Sequence, residues 1–249
     1  MKKKLILFML CIYQCCAIQS QLPDTTRHPF HFSGSVSVTH NGLSFIPTFS
    51  LEKPAAIFNL SMGRRVRFEP EMRFGLDGKP WSFLFWWRYN LPTTGKFSLR
   101  LGAHPAMNFK SQTVTLNGTQ QKAIITRRYL AGELATAYTF SKKLSTGVYY
   151  LYSRGLDPGS AKNGQFLAVN CSVSHLRLFS DWYLKLIPQL YYLKLDQQQG
   201  YFVTSSFSIA KPGFPFSLGA IINKRLQADI AGSRDFVWNT TLIYSFSHK

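Results

Sequence analysis

The chain has 249 residues; 45% are hydrophobic, 15% aromatic and only 16% charged, and 29 Lys and Arg stand against 11 Asp and Glu, for a formal net charge of +18. A chain of this length can bury enough surface to fold without disulfides, and of its four cysteines only Cys171 lies beyond residue 16. The basic balance alone would suit nucleic acid, but the N-terminus carries a secretion signal and argues against that partner.

Lys2, Lys3 and Lys4 precede an apolar stretch from Leu5 to Tyr13, and small and polar residues follow through Ala17, Ser20 and Gln21. This is the pattern of a secretory signal peptide, and it is too short for a spanning helix, which needs about 20 apolar residues. Cleavage fits after Ala17 or Ser20; Ser20 is favoured, which makes 1–20 the signal and 21–249 one domain. Cys11, Cys15 and Cys16 lack the preceding small-residue box of a lipoprotein site. Losing Lys2 to Lys4 and no carboxylate leaves the mature chain strongly basic.

After a short tail at 21–28, period-two alternation predicts strands at 30–39, 43–51, 56–62, 65–76, 81–91, 96–113, 123–140, 146–154, 165–178, 182–195, 201–210, 215–223 and 236–247. Turn signals separate most of them, among them Asn41-Gly42, Asp77-Gly78-Lys79-Pro80, Asn117-Gly118 and Pro212-Gly213. Thirteen is odd, and single-chain bacterial barrels have an even count. Merging 43–62 into one bent strand, with 52–55 as a bulge, gives about twelve, within a range of ten to fourteen. With the C-terminus placed in the periplasm, the long gaps 114–122, 155–164 and 224–235 all fall outside, and the short turns fall inside.

The alternation sorts residues onto two faces. Val66, Phe68, Pro70, Met72 and Phe74 share one side of a strand; Arg67, Glu69, Glu71 and Arg73 share the other. Low charge, aromatic-rich strand ends and polar faces of Ser, Thr, Gly and Asn favour a transmembrane antiparallel up-and-down β-barrel over a soluble barrel or sandwich. Phe68, Phe74, Trp81, Phe83, Phe85, Trp87, Tyr244 and Phe246 are then expected to face lipid. Arg67, Glu69, Glu71, Arg73, Arg88, Arg100, His104, Lys110, Arg127, Glu133 and Lys185 are expected to line the lumen. Cys171 shares a face with Leu167, Val169 and Val173 and reads as a small apolar residue.

Asn239-Thr240-Thr241-Leu242-Ile243-Tyr244-Ser245-Phe246 resembles the C-terminal signal of Gram-negative outer-membrane barrels, although Thr241 stands where that pattern has Gly and three residues follow Phe246. The segments from Phe45 to Ala55, Glu69 to Tyr89 and Asp235 to Phe246 resemble uncharacterised outer-membrane β-barrel proteins of such bacteria. The resemblance implies a fold, an outer-membrane location among its lipids, and the barrel-assembly machinery as partner of the last strand. It implies no activity.

Little points to catalysis, and no catalytic residue is assigned. His31 and Ser33 share a strand face, but their row continues through Ser35, Ser37 and Thr39 as polar filling. Ser174 and His175 are adjacent, so on a regular strand they point apart. The six histidines form no ligand-spaced metal cluster, and no phosphate loop or dinucleotide fingerprint suggests a cofactor. The expected function is porin-like passage or binding of small polar or anionic solutes. The alternatives are a structural or assembly-partner barrel with a salt-bridged closed lumen and, third, a lipid-modifying hydrolase.

Overall fold

A computed structural model of the chain describes residues 29–92, 95–116 and 119–248. The expected signal peptide, its expected cleavage site and Cys11, Cys15 and Cys16 lie outside the described residues. The rest forms twelve strands: β1 (His31–Thr39), β2 (Ala55–Gly63), β3 (Val66–Gly75), β4 (Pro80–Asn90), β5 (Phe97–Leu116), β6 (Thr119–Ser141), β7 (Leu144–Gly155), β8 (Gly164–Phe179), β9 (Trp182–Leu195), β10 (Gln198–Ala210), β11 (Phe216–Ala228) and β12 (Phe236–His248). Each pairs antiparallel with its sequence neighbours, and β12 closes on β1, with Phe32 opposite His248 and Thr39 opposite Thr241. Closure leaves no unpaired edge, which is what a sheet needs in order to cross hydrocarbon.

The outside is apolar. Leu101, Leu134, Leu190, Leu218 and Leu242 are all exposed, and rings run in ladders across it: Phe68 on Trp87, Phe74 on Phe83, Phe83 on Phe109, and Phe216 on Tyr244. An exterior of this kind in water would be one continuous sticky patch; in a bilayer it is the solvated surface. The architecture is that of a transmembrane β-barrel. Cys171 stands two residues from the exposed Val169, on that outer face.

Two expectations need correction here. Residues 43–51 are not a strand, and they do not merge with β2. The whole 40–54 connection leaves the wall and turns into the barrel, keeping one isolated bridge between Leu43 and Ser50. Pro47 and Pro54 cannot donate to a ladder, and Glu52 takes a left-handed φ of 60° that breaks the strand geometry. The twelve strands are therefore reached by removing this segment rather than by fusing it. The second correction concerns Trp81. The β3–β4 register jumps from Arg73↔Ser82 to Phe74↔Pro80, so Trp81 is an extra, bulged residue. Its ring lies beside Gly42 and 5.9 Å from the Arg73 guanidinium, on the lumen rim rather than against lipid.

Candidate functional site: the barrel lumen

The inner surface has two unlike walls. From β1 to β6 it is mainly polar: Ser33, Ser35 and Ser37, then Asn59 and Ser61, then the charged residues of β3 to β6, with Leu84, Trp86 and Ala106 as its apolar members. From β7 to β10 it is apolar and aromatic, with Leu151, Phe166, Ala168, Tyr191, Leu193 and Phe202 buried in one cluster. The 40–54 segment is what buries them. Its Phe45, Ile46 and Phe49 pack on that cluster, Phe45 lying between the rings of Trp86, Tyr149 and Phe166. Thr48 hydrogen-bonds the Tyr191 hydroxyl at 2.7 Å, and Tyr191 in turn donates to Asn223 Oδ1 at 2.8 Å. The segment is thus glued by apolar area and pinned by a buried polar chain.

The polar wall carries two ion-pair groups. In the larger, Arg88 donates to Glu69 at 2.7 Å and to Glu133 at 2.7 Å, and Arg100 donates to Glu133 at 3.1 Å. Tyr149 adds a 2.6 Å hydrogen bond to Glu133, and Ser61 a 3.0 Å bond to Glu69. The Glu133 side chain is 0% exposed, so its charge depends on these partners. The Arg88 guanidinium also sits 4.1 Å over the Trp86 ring, which stacks against His104. In the second group Arg73 pairs with Glu71 and reaches Ser82.

A glycine makes the larger group possible. Across the sheet Arg88 lies opposite Gly102, and Gly102 opposite Glu133. A Cβ on Gly102 would stand 2.7 Å from Glu133 Cγ. Without one, two side chains from next-but-one strands meet over the backbone between them.

All the expected lumen residues lie on strands β3 to β6 and β9, but they do not form one lining. The structure gathers Glu69, Arg88, Arg100 and Glu133, pairs Glu71 with Arg73, and tucks His104 under Trp86. Lys110 and Arg127 stand apart on an outer cavity of about 570 Å³, together with Lys53, Lys79, Trp81 and Tyr129. An inner cavity of about 510 Å³ is lined by Arg73, Arg100, Tyr149, Gln189 and Thr204, and Phe45 and Pro47 of the infolded segment border it. Lys185 is exposed, opposite Ser208. Among the described residues, Arg67, Lys110, Arg127 and Lys185 have no carboxylate within ion-pair distance.

Sequence reasoning missed Trp86, Gly102, Tyr149, Tyr191 and Phe202. Strand parity could have found them, because Trp86 shares the face of Ser82 and Arg88, and Phe202 the face of Thr204 and Ser206. The expected separation of Ser174 from His175 also fails. The β8–β9 ladder is irregular between Val173 and Leu176, and His175 has a left-handed φ of 57°, which brings the ring Nδ1 within 3.1 Å of the Ser174 hydroxyl. His31 Nε2 lies 2.8 Å from the Ser33 hydroxyl.

The two ends differ in charge. At the end where β1 begins and β12 finishes, the connections carry Arg64, Arg65, Lys96, Lys142, Lys143 and Lys211 against a lone Asp181. At the other end Lys53, Lys79, Lys162 and Arg234 face Glu52, Asp77, Asp157, Asp196, Asp229 and Asp235. Several of these pair locally, as Arg234 with Glu52 and Lys224 with Asp235. Asp157 accepts from Arg128, which holds its carboxyl down at about 2.

No protein-family model matches the chain, and no curated protein sequence does. Solved structures resemble it. The KdgM porin in complex with disordered oligogalacturonate aligns over 87% of this chain and 99% of its own, at a TM-score of 0.54 and 11% identity. An outer membrane channel from Pseudomonas putida F1 aligns over 92% of this chain and 100% of its own, at a TM-score of 0.53 and 10% identity. What is shared at such identity is the fold: a closed barrel of the outer-membrane kind.

Proposed function

We propose that the chain is an outer-membrane channel for small anionic solutes, whose path is narrowed by the infolded 40–54 segment. One observation carries this: the lumen holds more fixed positive charge than its carboxylates neutralise. Glu69, Glu71 and Glu133 are each bound by arginine, while Lys110 and Arg127 on the outer cavity have no acidic partner among the described residues. Confined cations raise the local concentration of anions and set selectivity. The KdgM porin, captured with an acidic saccharide, is a relative in fold that fits this chemistry. The C-terminal strand, in this reading, is the segment that the barrel-assembly machinery engages.

The packing of Phe45, Ile46 and Phe49 favours a second reading, a closed barrel with a structural or assembly role. The hydrolase reading has little support: His31 meets Ser33, but no carboxylate hydrogen-bonds His31 among the described residues. Planar-bilayer recording separates the first two. A channel passes chloride more readily than potassium in the native protein. Silence that persists after 44–49 is replaced by Gly and Ser would sink the channel reading.

A further inference from the structure

The outer wall of the barrel is not uniform. Most of it bristles with large side chains, but where β4 to β7 lie side by side there is a groove of about 410 Å³ with almost purely apolar walls. Its floor is Ala103 and Gly132, directly opposite each other in the β5–β6 ladder. Its ends are rings: Trp87 opposite Ala103, and Tyr152 opposite Gly132. Trp87 is 54% exposed and Leu130, on its flank, 53%. A Cβ on Gly132 would find nothing closer than Gly102 O at 3.8 Å, so the missing volume opens towards the membrane and is not consumed by packing.

A cation caps one end. Arg154 lines the groove, is exposed, faces outward opposite Leu130, and is the last residue but one of β7. Its side chain has no hydrogen bond or ion pair among the described residues. Lys194 lies on the same outer face two strands away, in the row that runs from Tyr152 through Gln165. The next outward cation, Arg128, is already held by Asp157. An outward Arg without a counter-charge is tolerable only near an interface, and there it asks for an anion from the lipid.

We infer that this groove is a binding site for a phosphorylated, multi-acylated glycolipid of the outer leaflet. One hydrocarbon tail lies between Trp87 and Tyr152 over Gly132, and a phosphate meets Arg154. The inference rests on the reading of the chain as an outer-membrane barrel whose Arg154 end faces outward. A phospholipid supplies a tail and one phosphate but sits in the opposite leaflet, far from Arg154. A second copy of the chain would fill the groove with side chains and leave Arg154 without an anion.

The test uses the full mature protein folded in detergent, with binding read by native mass spectrometry and by quenching of Trp87 with acyl-brominated lipid. Three probes are compared: bisphosphorylated lipid A, its dephosphorylated form, and phosphatidylglycerol. Lipid A should bind at least tenfold more tightly than the other two. Arg154→Gln should erase that preference without changing binding of the dephosphorylated form, and Gly132→Leu, which fills the groove, should weaken both glycolipids. Equal binding of all three probes, an unchanged Arg154→Gln variant, or dimers that Gly132→Leu abolishes would overturn the site. None of these results depends on whether the barrel conducts, so conductance retained in Arg154→Gln keeps this test separate from that of the channel.

Discussion

Arg88 and Glu133 stand on strands that do not touch, yet their side chains meet at 2.7 Å across Gly102 of the strand between them. The contact skips a strand because the intervening residue has no side chain. It ties three strands together at the level of the largest charge network in the lumen.

Removing one partner of so enclosed a pair leaves the other uncompensated. Glu133→Gln should therefore lower the stability of the folded barrel by about 3 kcal/mol or more, measured by urea unfolding in vesicles. Gly102→Ala should act in the same direction through crowding, by roughly 1–3 kcal/mol. An unchanged urea midpoint for both would mean that the network is solvated and slack.

The two outer-cavity cations should set selectivity. Lys110→Ser and Arg127→Ser should each lower the chloride-to-potassium permeability ratio, and the double variant should lower it further. The effect should fade at high salt, where screening shortens to roughly 3 Å at 1 M. A ratio indifferent to both substitutions would move the selectivity filter elsewhere.

The infolded segment should behave as a constriction held by a polar latch. Tyr191→Phe removes the hydroxyl that links Thr48 to Asn223, a change of about 1 kcal/mol for each lost bond. Single-channel records should show longer open times or a higher conductance. Replacing 44–49 by Gly and Ser should raise conductance more, because the aromatic wall then loses its cover.

Facing can be tested by charge placement. Leu101→Arg puts a cation on the exposed apolar exterior of β5 and should cost about 2–4 kcal/mol if that position lies near mid-membrane. Lys110→Ser, on the opposite face of the same strand and outside the ion-pair network, should fold into vesicles with a far smaller loss. Comparable losses would mean that the faces are reversed.

Acid should reach Asp157 late. Arg128 lowers its pKa to about 2 from the ordinary 3.8, so the contact is intact above pH 3.8 and is lost as pH falls through the lower value. Carboxyl-carbon NMR should place its midpoint near 2, and Arg128→Gln should return it towards 3.8.

Much of the wall was legible because a strand's two faces are written in alternate letters. The predicted strand over 182–195 coincides with β9, and most others differ by a few residues. What alternation cannot report is whether an alternating segment stays in the wall. Residues 43–51 alternate well enough, but Phe45 and Phe49 meet the aromatic cluster across the lumen, a contact between positions far apart in the chain. Trp81 was misplaced for a related reason: one bulged residue breaks parity without leaving a mark in composition. Gly102 looked like a neutral polar-face residue, and its importance exists only because Arg88 and Glu133 flank it.

The unequal charge of the two mouths gives the proposed channel a polarity. Counter-ions crowd the basic rim of Arg64, Arg65, Lys96, Lys142, Lys143 and Lys211 and are sparse at the mixed opposite rim. An anion current of one sign therefore starts from a full reservoir, and the reverse current from a depleted one. If the barrel conducts as proposed, equal voltages of opposite sign should drive unequal flows, as in a diode, and the direction of rectification should report which way each molecule has inserted.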